Sequence, residues 1–287
     1  MNRLYAWGIL LKPKVLVAMV ALYVTTYLSS YLMNVENAPG FYLFLQGLAA
    51  VVVAVSGANA LNCYLDRDID SIMVRTQGRL VAMVTAGEVP ARDMSVLLLA
   101  VASTLSLLLG LVPFSLFVVG TGFYLLVYTA LLKRRTVWNV LATLPSIASP
   151  AFLGWYLGGA PLIPVGFLVI FLIAVWGPLH LWSLAYAYSK DYSRVDVPMM
   201  TALMPKDVAS KTILIMVMLQ VASSYLLATW TTKFYLVGIS IFNVVLLGLG
   251  LVFIRDPTSR LAYRIFKLSA PYIVVLLLLF MLDQLLV

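Results

Sequence analysis

Apolar stretches of about 20 residues, the length a helix needs to cross a bilayer, recur along this chain, with charged residues held to the gaps between them. Nine are predicted to be helices, over about 13–33, 41–64, 94–112, 114–132, 137–158, 162–189, 211–230, 234–254 and 268–287. No stretch has the roughly ten-residue alternation of a transmembrane β-barrel. The 41–64 and 162–189 stretches exceed a minimal span, and each runs directly into an acidic cluster. The chain therefore reads as one integral membrane domain over 1–287. It is all-α, a nine-helix bundle with its two ends on opposite sides.

Composition agrees with that pattern. Of 287 residues, 63% are hydrophobic and 10% are charged, whereas soluble domains carry about 25% charge. An ordinary soluble enzyme, a disordered chain, a disulfide scaffold and a nucleic-acid partner are excluded. Cys63 is the single cysteine, so no intramolecular disulfide forms. No cleavable leader is expected, because only a short apolar run separates Arg3 from Lys12. Of the 19 lysines and arginines, all but Lys233 fall on the side of the N-terminus. That asymmetry predicts a cytoplasmic N-terminus and an external C-terminus, in the cell membrane. Of the 11 acids, only Glu36 and Asp283 fall on the far side. The positive-inside rule says little about acids, so carboxylates gathered on the cytoplasmic face need a separate cause.

Asn62, Asp66 and Asp70 are spaced i, i+4, i+8. Each step rotates by about 40°, so the three share one helical face over roughly 12 Å. Oxygen donors in a row suit a hard cation, and Mg²⁺ is commonly held by one or two carboxylates together with substrate phosphates. Asp68 points about 200° away from Asp66 and reads as structural. Asp191 and Asp196, at the end of the 162–189 helix, lie on the same membrane side. Two such clusters could hold cations on either side of one diphosphate, although an i+5 spacing puts Asp196 poorly on the Asp191 face. Arg75 and Arg79, then Lys133 and Arg134, then Lys12 and Lys14 are cations suited to diphosphate oxygens. Positive-inside anchoring alone would place basic residues at the same ends.

His180 is the sole histidine. It sits inside an apolar helix beside Gly177-Pro178, which is expected to kink the helix and free a backbone carbonyl. It could ligate a haem iron, move a proton or hold a polar substrate group. Tyr128, Tyr188, Trp182 and the other aromatics serve as interfacial anchors or as faces for a developing cation.

The stripe Asn62-x₃-Asp66-x₃-Asp70, the nine spans and the second acidic cluster resemble the UbiA-type intramembrane prenyltransferases. Within them the strongest resemblance is to the protoheme IX farnesyltransferase (haem O synthase) branch. It is carried by Lys12-Pro13-Lys14-Val15, by Tyr64 to Asp70 with Met73 and Arg75-Thr76, and by Tyr128-Thr129 with Leu132 to Thr136 and Asn139. Gly154-Trp155, Pro178-x-His180-x-Trp182 and Asp191-Tyr192 with Val197-Pro198-Met199 complete it. The chain departs from that branch at Leu80, Gly177, Leu181, Val195 and Asp196.

The resemblance implies an active site at the cytoplasmic end of a central apolar cavity. Asn62, Asp66, Asp70 and Asp191 would hold Mg²⁺ on a prenyl diphosphate, with Asp196 as the second aspartate that other branches of the superfamily carry nearby. Arg75, Arg79, Lys133, Arg134, Tyr128, Lys12 and Lys14 would bind substrate, with Asp66, Asp70 and Asp191 central to catalysis. A farnesyl or longer prenyl group would pass to a vinyl group of haem b, with water added, giving haem O. His180 would stand near the haem as axial ligand or orienting group. The departures leave another aromatic acceptor open, such as 4-hydroxybenzoate or a quinone precursor. A haem A synthase or a terminal oxidase assembly would be the partner. The rival class is a cation-coupled transporter, whose acids usually lie near the bilayer midplane rather than at one face beside arginines.

Overall fold

A computed structural model describes residues 1–37 and 39–286. Among them nine helices are long and apolar enough to cross a membrane. A short helix, α1 (Arg3–Leu10), precedes the first span, α2 (Pro13–Leu32). The second span, α3 (Phe41–Leu65), is followed on the basic face by α4 (Arg67–Ile72) and α5 (Gln77–Ala86). Next come α6 (Glu88–Leu108) and α7 (Leu111–Gly122), the latter extended by a π-helical stretch over Phe123–Leu132. Then follow α8 (Leu144–Gly158) and α9 (Phe167–Ala187). Two short helices, α10 (Ser189–Ser193) and α11 (Met200–Leu203), lead into α12 (Lys206–Leu227), α13 (Lys233–Arg255) and α14 (Ser259–Asp283).

Three spans begin earlier than their apolar stretches predict. α6 starts at Glu88 rather than 94, α12 at Lys206 rather than 211, and α14 at Ser259 rather than 268. The added turns carry charge, so they lower local hydropathy without ending the helix. Glu88 and Asp207 favour the positive helix ends they occupy, and the Thr258 side chain caps α14. The gaps 71–93 and 191–210 are likewise occupied by α5, α10 and α11 rather than by open loop.

The spans form a closed ring. Each of α2, α3, α6, α7, α8, α9, α12, α13 and α14 packs on the next, and α14 returns to α2. Short connections between antiparallel neighbours produce that order directly. The two largest cross-packings, α2 with α8 and α9 with α14, pinch the ring, and α3 also meets α8. The α2–α8 contact falls in the half away from the basic face. There Gly154 and Gly158, four apart, let the backbones meet, as small residues do between membrane helices. A Cβ at Gly154 would overlap Thr26 Oγ1 and the Tyr23 carbonyl. Gly154→Leu is therefore expected to lower stability by about 1–3 kcal/mol or more, read as earlier thermal unfolding in detergent; an unchanged transition would refute the close packing. On the same side Asp283, fully buried, accepts hydrogen bonds from Thr232 N (2.9 Å), Thr232 Oγ1 (2.5 Å) and Tyr235 N (3.2 Å). It caps α13 from α14, which accounts for one of the two far-side acids. Towards the basic face the helices diverge, and a cavity opens between them.

Candidate active site

The cavity has a volume of about 1170 Å³. Its rim, at the basic face, carries Lys12, Lys14, Asn62, Asp66, Asp70, Arg75, Arg79, Tyr124, Tyr128 and Lys133. One arm of its lining, from α3, α6 and α7, reaches Ser106 and Pro113. Another, from α9 and α14, carries Trp176, His180, Tyr263 and Phe266. Six cationic side chains (Lys12, Lys14, Arg75, Arg79, Lys133 and Lys267) line the whole space against two carboxylates, Asp66 and Asp70. It is therefore a site for an anionic head on an apolar body.

The acidic stripe is held by a chain of hydrogen bonds. α3 ends at Leu65 and α4 begins at Arg67, yet Asp66 N still donates to the Asn62 carbonyl (2.9 Å) and Asp70 N to the Asp66 carbonyl (2.8 Å). The i+4 row of Asn62, Asp66 and Asp70 thus survives the helix junction. Asn62 Nδ2 donates to Asp66 Oδ2 and to Thr129 Oγ1, each at 2.9 Å. Asn62 Oδ1 accepts from Lys12 Nζ (2.5 Å), and Lys133 Nζ donates to Asp66 Oδ2 (2.6 Å). Arg79 stands 3.6 Å from Asp70 Oδ1. What remains is decisive for a cation: Asp66 Oδ1 and Asp70 Oδ2 are buried and have no hydrogen-bond partner among the described residues. A buried carboxylate oxygen without a partner is costly. Two of them at one rim fit a site built for a positive ion.

Local backbone explains how these groups converge. Lys12 takes a left-handed conformation (φ 50°) between α1 and α2, with Pro13 opening α2 behind it. That conformation costs a non-glycine residue of order 1–3 kcal/mol, and it carries the ammonium to Asn62. Burial pushes the Lys12 ammonium below its ordinary pKa. On α7 the π-helical register lets Thr129 Oγ1 donate to the Tyr124 carbonyl five residues back (2.7 Å). It stacks Tyr124 on Tyr128 (6.3 Å, 8°) and brings Lys133 to Asp66. π-helical turns often mark functional positions.

The structure separates the remaining predicted residues. Arg134 turns away from the cavity and forms a bidentate pair with Asp68 (2.5 and 2.7 Å). That pair holds the Asp68 carboxyl below its usual range. Arg134 is thereby a structural partner of Asp68, which reads as structural in the sequence too. Asp191 is buried and lies behind the rim: its Oδ2 accepts from Arg75 N (3.1 Å) and its Oδ1 from Arg194 (3.3 Å). Arg75 in turn crosses the Tyr188 ring at 5.4 Å, and its Nε is buried without a partner among the described residues. Asp196 is exposed, left-handed (φ 50°) and outside the cavity lining. The chain has left the helix by then, so the i+5 geometry never arises. Asn62 spends both ends of its amide within the protein, so it orients Asp66 and Lys12 more than it faces the cavity. Tyr124 and Lys267, which line the cavity, and Thr129, which holds Asn62, are site residues that the sequence reading missed. Among the described residues no group of three His, Cys, Asp or Glu side chains is gathered for a metal. A cation here would draw its other ligands from substrate phosphates and water, as Mg²⁺ does.

Comparison with known proteins follows the same line. The UbiA prenyltransferase family matches residues 22–279. The protoheme IX farnesyltransferase of Desulforudis audaxviator is 38% identical over 84% of this chain and 77% of its own. That of Pyrobaculum neutrophilum is 35% identical over 80% and 84%. Among solved structures, one of a digeranylgeranylglyceryl phosphate synthase in membranes superposes with a TM-score of 0.80 over 100% of both chains, at 16% identity. A UbiA homolog from Archaeoglobus fulgidus, solved bound to GPP and Mg²⁺, has a TM-score of 0.69 at 14% identity, over 96% of this chain and 99% of that one.

Proposed function

The chain belongs to the UbiA prenyltransferase family, and from that premise we propose that it transfers a farnesyl group from farnesyl diphosphate to a vinyl group of haem b, giving haem O. It is a multi-pass membrane protein and a prenyltransferase. We place it in the cell membrane with the basic face in the cytoplasm. The cavity draws residues from α1 to α10 and from α14, and α12 and α13 close the ring around α9 and α14, which supports reading 1–287 as one domain.

The observation that carries the reading is the pair of unpartnered, buried oxygens of Asp66 and Asp70 at the mouth of an apolar cavity rimmed by cations. A Mg²⁺ ion held there by Asp66 and Asp70 would supply Lewis-acid stabilisation of the leaving diphosphate. Asp191 would hold a second such ion. Its Arg194 partner is half exposed, and such a pair is weak enough to exchange. Arg75, Arg79, Lys12 and Lys133 then meet the diphosphate oxygens as negative charge grows on them. The C–O bond breaks and diphosphate leaves with the electron pair. The allylic cation faces the Tyr124 and Tyr128 rings until the vinyl carbon takes it up. Water adds to the resulting benzylic-type cation and loses a proton. The apolar arm between α3 and α7 houses the tail and keeps other water away from the cation.

The test is a reaction in lipid with Mg²⁺, farnesyl diphosphate and haem b, beside one containing 4-hydroxybenzoate, each read by mass spectrometry. Hydroxyfarnesylated haem is expected. Product from the aromatic acid alone would move the acceptor while keeping the chemistry.

A further inference from the structure

A farnesyl chain ends before the α3–α7 arm does. Asp66, Asn62, Ala58, Ala54 and Ala50 all line the cavity. Along the helical axis Asp66 is about 18 Å from Ala54 and about 24 Å from Ala50. Successive Cα atoms, three bonds apart, are separated by about 3.8 Å, so a four-bond isoprenoid unit in the same extended form advances about 5 Å. Three units cover about 15 Å and four about 20 Å. The diphosphate takes the first few ångströms at Asp66. The third unit therefore ends near Ala54, and a fourth would reach Ala50.

The space beyond Ala54 has its own walls. Ala50 and Val51 come from α3, Ser106 from α6, Pro113 from α7 and Leu153 from α8. All five are buried, which shuts this end of the arm from lipid. Ser106 is two residues from the end of α6, and Pro113 is two from the start of α7. The lining thus runs through nearly the full depth of both helices. It stops one turn past Ala50, where a Cβ on Gly47 would overlap Tyr23 and Leu157. Apolar space left unfilled forfeits packing contacts, and one further isoprenoid unit fits between Ala54 and that stop. Resting on the prenyl-transfer reading above, we propose that the protein also transfers a four-unit, C20 isoprenoid, and that this pocket makes its diphosphate the tighter-binding donor. The reacting bond is unchanged: C1–O breaks, diphosphate leaves with the electron pair, and the acceptor carbon bonds to C1. The fourth unit begins about 15 Å from C1. It strengthens ground state and transition state alike, so its mark is a lower KM at an unchanged kcat.

The test compares diphosphates of two, three, four and five isoprenoid units on the full-length protein in lipid with Mg²⁺. Haem b and 4-hydroxybenzoate are run in parallel as acceptors, with products read by mass spectrometry. From three units to four, KM should fall about tenfold or more, since a single methylene in an apolar pocket already discriminates by that factor. kcat should stay level, and five units should be poorer than four. Ser106→Phe fills the pocket and should abolish the gain from the fourth unit. The ratio of geranyl to farnesyl transfer is decided nearer the rim, so it should hold, and the retained turnover shows that the variant is folded. Ser106→Leu, a smaller plug, should fall between. A KM for the C20 donor equal to or above that for farnesyl diphosphate would overturn the proposal and leave prenyl transfer standing. A folded Ser106→Phe protein that keeps the full C20 preference would do the same, because the tail would then end elsewhere. No product from any donor on either acceptor would overturn both.

Discussion

Asp66→Asn is expected to cut the transfer rate by about 10³-fold, the scale on which a single preorganised electrostatic partner acts in a buried site. The carboxylate is 2% exposed. Oδ2 is committed to Asn62 and Lys133, while Oδ1 is left for a cation. Asparagine keeps the volume and one acceptor, so the helix junction and the Lys12–Asn62–Thr129 network persist. What disappears is the negative charge. The Mg²⁺ concentration for half-maximal rate should rise in parallel, because one of two anionic ligands is gone. Alanine is a poorer test, since it strands the Lys133 ammonium, which is only 12% exposed. A lone charge at that depth costs several kcal/mol, and lost fold would then pass for lost catalysis. Turnover near the native level in a folded Asp66→Asn would remove Asp66 from the chemistry and, with it, the main support for a metal at this rim.

Such a residue could be picked out of the sequence because its signal is local. Four-residue spacing on a helix end places Asn62, Asp66 and Asp70 in one row whatever the other helices do. The charge asymmetry likewise yields nine spans and the basic face, since both are properties of the chain in one dimension. The partners of the row depend on which spans are neighbours. Thr129 reaches Asn62 across 67 residues, and Lys12 does so across 50. The π-helical register of 123–132 also departs from the 3.6-residue period on which sequence reading relies. Ser269 is one hydroxyl among many in apolar helices, and only the α9–α14 packing sets it 2.9 Å from His180 Nδ1. Arg134 shows the opposite failure. It sits one residue from Lys133 and has the right charge, but the two side chains diverge, one to Asp66 and the other to Asp68. The late start predicted for α14 has its own cause: Arg260, Arg264 and Lys267 sit at i, i+4 and i+7 on its first turns, which lowers local hydropathy although charge and helix are compatible there.

The acidic row also continues inward, and this gives the second large effect. Ala50, Ala54 and Ala58 occupy the same four-residue spacing on α3 as Asn62, Asp66 and Asp70, and all six line the cavity. Small side chains along the row leave the α3–α7 arm open from the carboxylates inward. Ala54 is twelve residues from Asp66, about 18 Å along the axis, opposite Phe117, Gly120 and Thr121 of α7 in the same lining. An isoprenoid anchored by its diphosphate at Asp66 must send its tail down this row. Ala54→Phe should therefore act as a plug. Overfilling a packed space by a ring costs of order 1–3 kcal/mol, or about 10- to 100-fold in kcat/KM for a donor long enough to reach it. Farnesyl transfer should fall by that factor relative to transfer from geranyl or dimethylallyl diphosphate, measured as paired rates on the same haem. The ratio is the informative quantity, because a general loss of fold lowers every donor equally. If all donors fall together while the protein stays folded, the tail lies elsewhere.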